Sequence, residues 1–181
     1  MVVIFLADGF EESEALVPLD ILRRGGVQVQ TVGIGGKTVT GSHGIPVVAD
    51  VSEDEFTFSK RCEMVILPGG MPGTTNLDKS ETVKNALLTA DKKGLFIAAI
   101  CAAPTVLYHK GLLSGQKATV YPSMKDELPD EIYSPEPVCE SGRFITARSA
   151  GVAIEFGLTL LTKLAGAERA KAIKQAIHTK W

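Results

Sequence analysis

Residues 94–107 read GLFIAAICAAPTVL. Leu95 to Ile100 is an unbroken apolar run of strand length, the habit of a parallel strand covered on both faces. Pro104 follows closely and suits the first turn of a helix, where its missing N–H has no partner to lose. The stretch is therefore a strand, a sharp turn and a helix, with Cys101 at the junction. A buried thiol there can be simple packing, since free Cys often acts as a small hydrophobe. It can also be a nucleophile. Ala-Ile-Cys-Ala-Ala has the layout of a nucleophile elbow, with Ala99 and Ala103 at the small positions. A helix start beside a thiol is expected to lower its pKa.

The same unit recurs on either side. MVVIFLA (1–7) is another buried strand, and 8–26 reads as a helix with acids early, Arg23 and Arg24 late and Gly25-Gly26 as the stop. Pro18 inside it predicts a kink or a second start. VQVQTVGI (27–34) alternates as a strand, and 37–50 reads as a β excursion turning at Gly41 and Gly44. EMVILPGG (63–70) is a strand ending in a glycine turn, 79–94 an amphipathic helix, RFITAR (143–148) a late strand, and 151–166 and 168–181 are helices. Strands alternating with helices predict an α/β fold with a doubly wound, mostly parallel sheet. No linker or long-period repeat interrupts it, so 1–181 is one domain.

Composition narrows the function. A net charge of −2 lacks the basic footprint of a nucleic-acid binder. Three cysteines at irregular spacing, Cys62, Cys101 and Cys139, form neither a disulfide framework nor a metal set and favour a reducing compartment. Acids follow the first apolar run directly, unlike a signal peptide, and no apolar stretch spans a membrane, so a cytoplasmic location is expected. Gly36-Lys37-Thr38 is no phosphate loop, because Thr31 stands where that motif needs glycine; a hairpin turn is expected. His43, His109 and His178 show no ligand spacing, and His109 is placed to complement a helix end.

Ligands of doubly wound sheets bind at the carboxyl ends of the strands. Three loops should meet there: ADGFEESE (7–14), LPGGMPG (67–73) and CAAP (101–104). Glu11 and Glu12 read as surface residues matched to the helix dipole. Glu14 lies one turn beyond Glu11, at the edge of the apolar face, and can turn inward. A carboxyl and a thiol in contact should share one proton, with protonated Glu14 donating to the Cys101 thiolate. Gly69 and Gly70 offer backbone N–H groups suited to an oxyanion hole.

Residues 7–26, 65–77 and 97–107, in that order, together with ITARSAGVAIEFGL (145–158), resemble the ThiJ/PfpI superfamily and look closest to its parkinsonism-associated protein deglycase branch. The resemblance implies a flavodoxin-like three-layer sandwich and a homodimer. It implies Cys101 as nucleophile, Glu14 as its carboxylic partner, Gly69 and Gly70 as oxyanion donors, and an oxidation-sensitive thiol. No cofactor or metal is implied. The expected substrates are methylglyoxal, glyoxal or their adducts. The alternative is a redox sensor or redox-regulated chaperone that oxidises Cys101 to sulfinic acid. Relatives carry His before Pro in a strand after the nucleophile helix, where this chain has Tyr121-Pro122. Tyr121 is expected to donate a hydrogen bond to substrate, not to act as base. His43 lies where relatives have a basic residue near the dimer interface. An amidotransferase is disfavoured because Lys180 stands in the late segment that would need His-x-Glu.

Overall fold

The computed structural model describes residues 1–179, which leaves Lys180 and the end of the last expected helix outside the described residues. Its elements, in chain order, are β1 (Val2–Ala7), α1 (Glu12–Arg24), β2 (Val29–Ile34), β3 (Thr38–Thr40), β4 (Pro46–Val48), β5 (Val51–Ser52) and β6 (Met64–Leu67). Then come α2 (Gly73–Lys79), α3 (Glu81–Lys92), β7 (Phe96–Ile100), α4 (Pro104–His109), β8 (Val138–Ser141), β9 (Phe144–Ala147), α5 (Ala153–Ala165) and α6 (Ala167–Ala176).

Seven strands form one sheet in the order β5-β2-β1-β6-β7-β9-β8, parallel except for the β8–β9 edge. β1 pairs with β2 on one side and β6 on the other, with Ile4 opposite both Thr31 and Ile66. Strand alternation sends β1 side chains to two cores. Val3, Phe5 and Ala7 meet Leu77 of α2, Val83 and Leu87 of α3 and Val106 of α4. Val2, Ile4 and Leu6 meet Ile21 and Leu22 of α1, Phe156 and Leu160 of α5 and Ile173 of α6. This is the doubly wound sheet expected from the alternation of strands and helices, in the three-layer sandwich that the resemblance implied. Among the described residues no helix is long and apolar enough to cross a membrane.

Several boundaries differ from expectation. α1 begins at Glu12, because residues 8–11 form the loop out of β1. Pro18 lies within one continuous α1 and starts no second helix. Its missing N–H leaves the Glu14 carbonyl without its helical donor, and burial of α1 against β1 and α5 offsets that loss. Gly157 of α5 allows the approach: a Cβ there would stand 2.8 Å from Ile21 Cδ1 and 3.2 Å from Pro18 Cα. The excursion at 37–50 is the antiparallel hairpin β3–β4, with its turn at Gly41–Gly44. Gly36 belongs to the bend before it, so the Gly-Lys-Thr run is a turn into the hairpin and not its tip. Tyr121 introduces a 3-10 turn over Pro122–Glu127 where the resemblance implied a strand. Proline at the first position of that turn has no N–H to give a sheet.

Candidate functional site

β1 changes neighbours from β2 to β6, so the carboxyl ends of β1, β6 and β7 open on the crevice where such folds bind ligands. The three expected loops meet there. Cys101 follows β7 with φ +64°, a left-handed conformation costing a non-glycine residue roughly 1–3 kcal/mol. Two hydrogen bonds hold it. Its N–H donates to the Ala147 carbonyl at 2.8 Å, and its carbonyl accepts the Tyr121 N–H at 2.8 Å. Ala99 and Ala103 on either side are fully buried, as an elbow requires of its small positions.

Glu14 turns inward from the first turn of α1 and is 1% exposed. Gly69 N–H donates to its Oε2 at 3.1 Å, and its carboxyl group faces the Cys101 thiol. Gly69 is required here. A Cβ would lie 2.6 Å from both Cys101 Cβ and Glu14 Oε2. The loops are also tied by Glu11 N–H, which donates to the Gly69 carbonyl at 2.9 Å.

Burial pushes the Glu14 carboxyl up to about 7, helped by the nearby Glu11 charge and opposed by the Cys101, Gly69 and Ala150 hydrogen bonds. The Cys101 thiol is pushed up to about 12 by burial, by the Glu14 charge and by its hydrogen bond to Glu14. The expected lowering by a helix start is therefore reversed. α4 has six residues and begins three positions beyond Cys101, so its field at the sulfur is weak. The pull downward comes from the Ala102 and Gly70 N–H groups that face the sulfur. Each partner opposes ionisation of the other, so the pair keeps at least one proton at neutral pH.

The two glycines of the expected oxyanion pair differ in their partners. Gly69 N–H is engaged by Glu14. Gly70 and Ala102 present N–H groups at the thiol. Ala102 is hard to find in the sequence because any residue supplies an N–H, although the position after an elbow nucleophile is the signal. Tyr121 reaches the site through its backbone, and its side chain is 43% exposed.

Glu12 is not a surface residue. It is buried beneath the β3–β4 turn, where its Oε1 accepts the His43 N–H at 2.9 Å and its Oε2 lies 2.8 Å from His43 Nδ1. Burial alone would raise its pKa, but the His43 bonds hold it down to about 2. The ligand-capable atoms of Glu11, Glu12 and His43 lie within 4.8 Å of one another, a grouping hidden from sequence spacing. His109 ends α4 as expected, and its Nδ1 also lies 2.7 Å from Asp78 Oδ2 on α2. Cys62 and Cys139 are buried, and burial raises the Cys62 thiol.

A half-buried thiol in a left-handed elbow, set against a buried carboxyl at the switch point of a doubly wound sheet, defines an α/β protein with a cysteine-centred site. The chain belongs to the DJ-1/PfpI family, whose model matches residues 1–163. It is similar to Protein dj-1beta of Drosophila melanogaster, 38% identical over 178 residues that cover 96% of this chain and 94% of that protein. The glutathione-independent glyoxalase DJR-1.2 of Caenorhabditis elegans is 34% identical, over 90% of this chain and 87% of that one. The solved structure of oxidized Toxoplasma gondii DJ-1 superposes with a TM-score of 0.92 at 34% identity, covering 99% and 98% of the two chains.

Proposed function

We propose that this chain is a cysteine-dependent enzyme acting on methylglyoxal, glyoxal or their adducts on proteins and nucleotides, and that it needs no cofactor. The observation that carries the reading is the buried Glu14 carboxyl set against the Cys101 thiol in its left-handed elbow, beside the Gly70 and Ala102 N–H groups. Moving the thiol proton to Glu14 frees a thiolate, which adds to the aldehyde carbon. The two N–H groups stabilise the hemithioacetal oxyanion. Glu14 returns its proton to that oxyanion and, now a carboxylate, carries a proton from the aldehyde-derived carbon to the neighbouring carbonyl carbon, while the hydroxyl proton passes to the neighbouring oxygen. The first carbon is thereby oxidised to a thioester and the second reduced to a hydroxyl-bearing carbon. Water cleaves the thioester, which turns methylglyoxal into lactate and restores the thiol. The glyoxalase named among the relatives supports the same chemistry. In this reading the Tyr121 hydroxyl donates a hydrogen bond to a substrate oxygen.

The test is purified protein with methylglyoxal, followed by lactate release. Cys101→Ser is expected to lose all turnover. Lactate from that variant at the wild-type rate would refute the assignment.

A second reading has one observation behind it, the oxidized state named for the Toxoplasma relative. Here Cys101 stops at sulfinic acid, held by Glu14 and the same N–H groups, as an oxidative-stress sensor or chaperone switch. We further propose a homodimer. Ile45 and Val48 on the β3–β4 hairpin are 51% and 70% exposed, and a cavity of about 520 Å³ lined by Leu16, Val17, Ile154 and Ile177 adjoins α1. Light scattering should give twice the chain mass, and Val48→Glu should lower it; a monomeric wild type would exclude the dimer.

A further inference from the structure

The β3–β4 hairpin carries His43 to the start of α1. Among the described residues, His43 is the only ion-pair partner of Glu11 and Glu12, at 3.6 and 2.8 Å from Nδ1. Ser42 Oγ completes the group, 3.2 Å from Glu11 Oε2 and 3.4 Å from Glu12 Oε2. The hairpin is seated closely: a Cβ on Gly41 would stand 2.2 Å from Glu12 Oε1. Glu11 in turn faces two ways. Its carboxylate meets the hairpin and the Ser13 hydroxyl, while its N–H holds Gly69, the residue that contacts both Glu14 and Cys101.

We propose that His43 is a positioning residue for the Cys101–Glu14 pair, acting through the Glu11 and Glu12 carboxylates to set the pH at which the pair gives up its first proton. Among the described residues of this chain, the groups facing the imidazole are Glu11 and Glu12 from the start of α1 and Ser42 from its own turn. The glycines of the β6–α2 loop bring no charge to it. Hydrogen bonding to Glu12, with the charges of Glu11 and Glu12, keeps the ring protonated to higher pH than usual. The charged ring offsets Glu11, whose charge opposes ionisation of Glu14. Without it, Glu11 acts at full strength and the pair holds its proton to higher pH.

The inference rests on the proton that the pair keeps in the proposed site, and its test reads thiol chemistry instead of dicarbonyl turnover, so the two can fail separately. The rate of Cys101 alkylation by iodoacetamide is measured from pH 5 to 9 at low salt, with the labelled residue mapped by mass spectrometry. His43→Gln is expected to raise the midpoint by about half a pH unit, the scale of an exposed charge pair. The gap should close in about 1 M salt, where the Debye length is roughly 3 Å. His43→Lys should return the midpoint to the wild-type value or below. In a Glu11→Gln background the effect of His43→Gln should shrink. An unchanged midpoint in His43→Gln overturns the proposal. So does a change in plateau rate alone, which is the mark of a structural role, or a midpoint change of undiminished size in the Glu11→Gln background.

Discussion

Glu14 and Cys101 show how two ordinary side chains acquire unusual acidities from place alone. Neither residue type ionises strongly when dry, and each is the nearest obstacle to the other's charge. Glu14→Gln removes one obstacle. The Cys101 thiol should then ionise well below its present value of about 12, as pH-dependent alkylation will show, yet turnover should vanish because no group remains to carry the proton. The same variant carries a stability prediction. Glu14 has a folded pKa of about 7 against 4.5 for the free group, so its burial costs nothing at low pH. The cost grows as pH rises from 4.5 to 7, toward about 3 kcal/mol, since a tenfold change in an ionisation constant on folding is worth about 1.4 kcal/mol. Glu14→Gln should therefore raise the melting temperature by several degrees at pH 8 and by little at pH 4, at roughly 2–4 °C per kcal/mol for a chain of this size. Equal gains at both pH values would contradict the burial argument.

Among the elements, α1 and α5 are the pair on which the site leans, since α1 delivers Glu14 and Ala150 before α5 faces its carboxyl. Their contact passes through Gly157, which admits Ile21 and the Pro18 backbone. Gly157→Val should cost about 1–3 kcal/mol through overpacking, read as a lower denaturation midpoint at unchanged slope. A neutral result would mean the helices shift apart freely. The elements are unevenly legible in the sequence. Strong apolar runs such as Val2–Leu6 and Phe96–Ile100 declare buried strands. α2 is concealed because Gly73, Thr74 and Thr75 are poor helix formers, and the helix is held by burial of Leu77. β8 is concealed because four residues, partly exposed at a sheet edge, carry little pattern, although the turn at Gly142 is a hairpin signal.

For the whole molecule, the alternation of strands and helices suffices to bring Glu14, the Gly69-Gly70 turn and Cys101 to one end of the sheet. Topology can be read because each loop follows a recognisable strand. Contacts that depend on how a side excursion folds back cannot. Glu12 and His43 are 31 residues apart, and nothing in either stretch announces that the hairpin closes over α1. The raised pKa of the thiol is out of reach for a related reason. Local sequence shows a helix start, whereas depth and the distance from Cys101 to that helix are properties of the packed molecule.

The two hydrogen bonds that pin the peptide units of Cys101 make the elbow part of the sheet's slowest clock. The Cys101 amide continues the pairing of β7 with β9, and the Tyr121 amide closes on the Cys101 carbonyl. Neither can meet solvent unless that region separates. Deuterium exchange at Cys101 should thus require the same opening free energy and denaturant slope as Ile97 to Ile100, the signature of global and not local unfolding. Exchange at Cys101 that ignores denaturant would reveal an elbow able to relax by itself. If the clocks agree, the left-handed strain at the nucleophile persists for as long as the protein stays folded.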